Sequence, residues 1–224
     1  MSDRLSELRA DFDRAAALPE SKWNHNDHYH QLILRQLPLH CKEALEIGCG
    51  TGLFARLLAG RAAHVTALDL APAMIDLARQ RSAGIKNIDF LTADALAWHY
   101  PPEGYDCIVS IATFHHLPLE ELFPKLRTAL RPGGILAVLD LYAAESWIDL
   151  LVGASAVAVN PFVRLLKTGR LRDPEIVRRY WQEHGRLDHY PTLGGLRRLC
   201  AGLLPGATVR RLFFFRYLLT WQKP

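Results

Sequence analysis

The chain has 224 residues, half of them hydrophobic and 22% charged, which suits one packed globular domain and excludes global disorder. Its formal net charge of +4 is unevenly placed: from Pro161 to the end there are 13 Lys/Arg against 4 Asp/Glu, while the remainder is acidic. No dense basic run with interleaved aromatics occurs, so no nucleic-acid partner is expected. The four cysteines, Cys41, Cys49, Cys107 and Cys200, form no C-x-x-C pair, which argues against both a zinc cluster and a disulfide framework.

The charged start "MSDRLSELRADFDRAAALPE" reads as a helix without a signal-peptide core, and a reducing cytoplasm is expected. "WNHNDHYHQLILRQLP" follows, polar and aromatic first, then helical in period. From Glu43 to about Leu141, strand-like and helix-like segments alternate. "EALEIG", "HVTALDL", "IDFLTAD", "YDCIVSI" and "ILAVLDL" are the strands. "TGLFARLLAG" is a helix stopped by Gly60, "APAMIDLARQRSAG" carries proline at its start and glycine past its end, and "LEELFPKLRTALRPGG" closes in a Pro-Gly-Gly turn. Strands joined by such helices need crossovers, so the sheet is expected to be mostly parallel and doubly wound, with helices on both faces.

Residues from Ser146 to about Leu187 look helical and interrupt the alternation. "TLGGLRRLCAGLLPG" is a further helix, and "ATVRRLF" with "FRYLLTWQK" gives two β-segments paired antiparallel at one edge. The expected organisation is a single domain. It comprises an N-terminal helical cap (1–42), a cofactor-binding core (43–145), a helical lid (146–190) and a terminal helix with a strand pair (191–224).

"LEIGCGTG" places Gly48, Gly50 and Gly52 directly behind the first strand, where glycine lets a ligand approach the main chain. In an open parallel sheet the ligand crevice lies beyond the carboxyl ends of the strands, which is where this loop falls. A dinucleotide fingerprint needs a third glycine where Leu53 stands, and Glu46 would oppose a pyrophosphate. Asp69 ends the second strand and can accept from ribose hydroxyls, and Asp94 ends the third within reach of an adenine amino group. Glu46, Asp69 and Asp94 together suit a nucleoside bearing an ammonium and a sulfonium.

"LEIGCGTG", "ALDLAPAMIDLA", "TADAL", "YDCIVSIATFHHL" and "LRPGGILAVLDL", in that order, resemble the successive motifs of class I S-adenosylmethionine-dependent methyltransferases. The likeness is greatest to the branch with ubiquinone- and menaquinone-biosynthesis-type enzymes, and it is strong over residues 43–141. It implies a Rossmann-like sheet of seven strands with the last pair antiparallel, and S-adenosyl-L-methionine as cofactor. By that resemblance the loop Gly48–Cys49–Gly50–Thr51–Gly52 lies against the methionine moiety, with Asp69 and Leu70 at the ribose. Asp94, Ala95 and Leu96 reach the adenine, Met74 covers its face, and Ile111 and Ala112 border the cofactor's other side. Tyr29, in the segment that folds over the cofactor in related enzymes, is expected to touch it.

Methyl transfer to oxygen or nitrogen of a small-molecule acceptor follows, by in-line displacement. His116, His115 and His189 are the candidate bases. Phe114, Trp181, His184 and Tyr190 are expected to line the substrate side. The histidines His25, His28 and His30 have no fitting acidic or thiol ligands nearby, so no metal is expected. "WIDLLVGASAVAVNPFVRLL" is as long as a membrane span, yet Asp149 and an expected helix break at Asn160–Pro161 argue against spanning. A buried or dimer-forming helical hairpin is expected there, with peripheral membrane contact, and a lipophilic quinone or lipid acceptor, as the alternative. A non-catalytic S-adenosylmethionine-binding protein is a further alternative.

Overall fold

The computed structural model describes residues 2–19, 23–186 and 188–224. The expected alternation is present, and each helix in it starts or stops where local chemistry requires. β1 (Cys41–Ile47) leads through the glycine loop into α3 (Leu53–Ala59), preceded by α1 (Ser2–Ala16) and α2 (His30–Leu34). β2 (Ala62–Asp69) leads into α4 (Pro72–Arg81), whose proline occupies the first turn, where no N–H is needed. β3 (Ile88–Thr92), β4 (Tyr105–Ile111), α5 (Leu119–Ala129) and β5 (Leu130–Leu141) complete the core. The tail holds α6 (Trp147–Thr168), α7 (Glu175–His184), α8 (Leu193–Leu203), β6 (Thr208–Arg211) and β7 (Arg216–Gln222).

The seven strands form one sheet in the order β3-β2-β1-β4-β5-β7-β6, with β7 antiparallel to both neighbours and every other pairing parallel. The order reverses between β1 and β4, so the crevice opens at their carboxyl ends. Side chains alternate between two apolar layers, as a sheet covered on both faces demands. Leu45, Ile47, Ile108, Leu136 and Val138 pack against α5 and α8 residues such as Leu122, Leu126 and Leu196. Ala44, Cys107, Val109, Ala137 and Leu139 pack with Ile33, Phe54 and Ile75 on the other face. Removing most of one such buried leucine, as in Leu126→Ala, costs about 2–5 kcal/mol in comparable cores.

Two local expectations need correction. The Pro-Gly-Gly turn after α5 belongs to β5: Tyr105 pairs with Leu130 and Cys107 with Ile135, so the extra residues of β5 loop out as a bulge. Nor does Asn160–Pro161 break the following segment, which runs as one 22-residue helix rather than a hairpin. Ser146 and Asp149 cap its start reciprocally, and Gly169, at φ 72°, ends it. A well-terminated helix tolerates the one N–H that Pro161 lacks. The expected burial of this helix is also absent, since Trp147, Phe162 and Leu166 are 70%, 68% and 86% exposed. By length and composition alone it is long and apolar enough to cross a membrane. The helical stretch expected to end near Leu187 has its helix end at His184, and Leu187 itself lies outside the described residues.

Candidate functional site

The glycine loop is fixed by backbone bonds to the neighbouring strand. Gly48 and Cys49 both donate to the Leu68 carbonyl, at 2.8 and 2.9 Å, and Gly50 donates to Asp69 Oδ2 at 2.7 Å. Gly48 has φ +75°, and a Cβ there would stand 1.9 Å from Thr113 Oγ1, so the loops after β1 and β4 are in direct contact. Gly50, at φ +49°, has open space where its Cβ would be, and that space belongs to a cavity. Beside it, Ala112 holds φ 52°, an uncommon backbone conformation for a residue with a side chain.

The cavity has a volume of about 270 Å3. Gly48 and Gly50 form part of its floor, Asp69, Leu70 and Met74 one wall, and Asp94, Ala95 and Leu96 the next. Ile111 and Ala112 border the far side, with Thr113 and His116 beyond them. Leu5, Leu8 and Phe12 of α1 and Trp181 of α7 make the roof. Sequence reasoning put an N-terminal cap over this space but looked to Tyr29. In the structure Tyr29 does not line it, being buried with its hydroxyl donating to the Phe213 carbonyl at 3.0 Å. The roof residues follow helical spacing at positions 5, 8 and 12, a signal the sequence did carry.

The electrostatics are those of an acceptor-lined space. Asp69 is buried and spends one oxygen on Gly50 and the other on the Ala71 N–H at 2.9 Å; burial raises its pKa, and these bonds pull it back down. Asp94 Oδ1 accepts from the Leu96 N–H at 2.8 Å, and among the described residues its second oxygen has no protein donor. Glu46 does not line the cavity. It is buried behind the loop, where burial and the Asp69 charge push its pKa well above the usual carboxylate range. Its Oε2 has no hydrogen-bond partner. Cys49, Thr51 and Gly52 also lie behind the lining, and burial pushes the Cys49 thiol well up. Among the described residues no lysine or arginine lines the cavity, so nothing there would neutralise a pyrophosphate.

The histidine-rich side is built differently from expectation. Phe114 is buried in the core against Phe123 and does not line the cavity. His116 lines the cavity, with its Nε2 buried and unpartnered; burial and the neighbouring His115 and His184 press its pKa down to about 3. His115 lies under it and donates Nδ1–H to Asp140 Oδ1 at 2.6 Å. His184 donates Nδ1–H to Asp11 Oδ2 at 2.5 Å, and Tyr190 donates its hydroxyl to Asp188. His189 lines a separate surface depression with Pro191 and Leu199 and does not line the cavity. Asp11 and Asp188 escaped sequence reasoning, because neither lies near a motif. His25 donates Nε2–H to Asn160 Oδ1 at 2.8 Å and does not gather with His28 and His30 into a ligand cluster among the described residues.

Comparison with known proteins gives this architecture a family. A methyltransferase-domain family model matches residues 44–134. An uncharacterized methyltransferase of Mycobacterium tuberculosis is 33% identical over 208 residues, covering 92% of this chain and 99% of the relative. The chain belongs to the class I S-adenosylmethionine-dependent methyltransferases. A ubiquinone biosynthesis O-methyltransferase of Xylella fastidiosa is 29% identical to this methyltransferase, covering 87% of this chain and 85% of that one. The solved structure of the N-methyltransferase NodS of Bradyrhizobium japonicum, in complex with S-adenosyl-L-homocysteine, shares the fold with a TM-score of 0.64. That match covers 96% and 98% of the two chains at 19% identity.

Proposed function

We propose that the cavity binds S-adenosyl-L-methionine and that the protein transfers its methyl group to an oxygen of a small-molecule acceptor. One observation carries the reading: a cavity on the glycine loop whose charged lining, among the described residues, is acidic and free of lysine and arginine. The residues fit the cofactor. Gly50 leaves room for close approach to the main chain, Asp94 has a free carboxylate oxygen, and Glu46 Oε2 is an unsatisfied acceptor behind the loop. Asp69 lines the cavity, and a carboxylate can accept further bonds beside those it takes from backbone N–H groups. When bound, S-adenosylmethionine supplies a methyl group on a sulfonium, a good leaving thioether, so the protein's tasks are orientation and exclusion of water.

Leu5, Leu8, Phe12 and Trp181 supply that exclusion from above. His116 presents its unpartnered Nε2 at the acceptor side and serves to position the acceptor oxygen. Oxygen is favoured over nitrogen because the Xylella relative, similar over most of both chains, is an O-methyltransferase. Four free thiols suit a cytoplasmic setting, the compartment proposed here. The test is incubation of purified protein with labelled cofactor and a panel of carboxylates, phenols and amines, read by product mass. Methyl gain on oxygen acceptors supports the proposal, and gain confined to amines overturns the choice of atom.

A second reading has its own support. α6 exposes Trp147, Leu150, Leu151, Phe162 and Leu166, carries Lys167 in its last turn, and is followed by Arg170 and Arg172. Such a helix suits delivery of a lipophilic acceptor at a membrane surface. Flotation with anionic liposomes tests this: co-migration that Leu166→Glu abolishes supports it, and its absence at low salt ends it.

A further inference from the structure

Beyond the cofactor cavity, four side chains converge on one buried point. The ligand atoms of His115, His116, His184 and Asp188 all lie within 4.8 Å of one another. Asp188 Oδ1 is the hub: it stands 3.4 Å from His184 Nε2, 3.6 Å from His116 Nδ1 and 3.8 Å from His115 Nε2. The Asp188 side chain is 3% exposed, and this oxygen has no hydrogen-bond partner. These separations exceed the usual 2.7–3.2 Å or so of a hydrogen bond. They approach the spacing of donors around a tetrahedral ion, about 3.3 Å for ligands bound at about 2.0–2.1 Å.

The surroundings set each donor for that task. Asp140 accepts from His115 Nδ1 at 2.6 Å and Asp11 accepts from His184 Nδ1 at 2.5 Å, so both rings turn an Nε2 lone pair inward. Both carboxylates are themselves anchored, Asp140 by the His115 backbone N–H at 2.8 Å and Asp11 by the Tyr180 hydroxyl at 2.8 Å. Carboxylates behind ligating imidazoles are the recurrent outer support of metal sites. Tyr190 occupies the other Asp188 oxygen, which leaves Oδ1 as the inward one. The Phe12 ring packs against His116 and His184, with centroids 5.5 and 5.1 Å away, and closes the cluster with an apolar wall.

We propose that His115 Nε2, His116 Nδ1, His184 Nε2 and Asp188 Oδ1 bind one divalent transition-metal ion, for which Zn2+ is the best-suited occupant. Three imidazoles and one carboxylate in four-coordinate array match zinc's donor preferences, and the protein supplying all four makes the site structural in kind. The ion links the turn after β4 to α7 and the segment that follows it, and through Asp11 to α1. Those elements carry His116, Trp181 and Phe12, so the ion fastens the roof of the cofactor cavity to its wall. This reverses the expectation of no metal, which weighed only His25, His28 and His30. The site stands whether or not the cavity takes S-adenosylmethionine.

The experiment uses untagged full-length protein, stripped with a chelator, dialysed and titrated with Zn2+ by calorimetry, with bound metal counted by mass spectrometry. The expected result is one zinc per chain and a higher melting temperature. Asp188→Asn and His184→Gln should each weaken zinc binding at least about 100-fold, while Asp11→Asn should weaken it about 10–100-fold. His99→Ala, an exposed histidine outside the cluster, should bind as wild type. Circular dichroism of each stripped variant confirms folding, and Co2+ substitution adds the visible spectrum of four-coordinate cobalt. If the wild type takes up no stoichiometric zinc, or folded Asp188→Asn and His184→Gln bind it as tightly as wild type, the proposal is wrong.

Discussion

The backbone N–H of Gly50 donates to Asp69 Oδ2 at 2.7 Å, so the loop behind β1 is held in shape by the last residue of β2. One carboxylate thus both shapes the glycine loop and lines the cavity above it. Replacing it removes both roles together. Asp69→Ala is expected to lower affinity for S-adenosylhomocysteine about 10–100-fold, the scale of a lost hydrogen bond to a charged group. Calorimetry of the folded variant checks this.

Gly48 is the tightest point in the loop. Gly48→Ala would drive a methyl group into Thr113, whose Oγ1 lies 1.9 Å from the site of the new Cβ, at a φ that side chains avoid. Destabilisation of about 2–5 kcal/mol is expected from overpacking and left-handed strain together. Urea denaturation should show it as a lower midpoint at unchanged slope.

The raised Glu46 pKa gives a pH dependence with a definite sign. A carboxylate whose folded pKa lies above its unfolded value contributes most below the unfolded pKa and loses that contribution as pH rises through the folded one. Ligand-free wild type should therefore melt progressively lower as pH rises from the ordinary carboxylate range up to that raised pKa and level off beyond it, and Glu46→Gln should flatten the decline. Binding of a cationic cofactor favours the ionised form and should release a proton. Calorimetry in buffers of different ionisation enthalpy measures that release, which Glu46→Gln should abolish.

The roof predicts a kinetic effect. Leu8→Ala and Trp181→Ala remove cover from the cavity without touching its acidic walls. Cofactor dissociation should accelerate several-fold while association changes little, since interface changes act mostly on dissociation. Stopped-flow fluorescence of the Leu8 variant, which keeps all its tryptophans, provides the measurement.

The sheet was legible because its strands are apolar, its helices carry their own caps, and the five motifs are continuous in the chain. Asp69 and Asp94 could be found for the same reason, since each ends or adjoins a strand, whereas Glu46, expected in the same lining, is buried behind the loop. What sequence could not supply was tertiary direction. Tyr29 and Phe114 are aromatic and near motifs, yet both turn inward, whereas Leu5, Leu8 and Phe12 reach the cavity from the other end of the cap. Asp11 meets His184 across 173 positions of chain and Asp188 meets His116 across 72, separations that no local motif reports. The Asn160–Pro161 pair shows the opposite failure. A local breaker was outvoted by a capping box and a glycine stop that hold the helix from its two ends.

Isothermal calorimetry with S-adenosylmethionine, S-adenosylhomocysteine and NAD on one preparation tests the central claim most directly. The account predicts one site per chain for the first two and no heat from NAD. At about 100-fold excess over its dissociation constant the ligand should also raise the melting temperature by about 5–10 °C. Saturable uptake of NAD with no uptake of either sulfur nucleoside would contradict it.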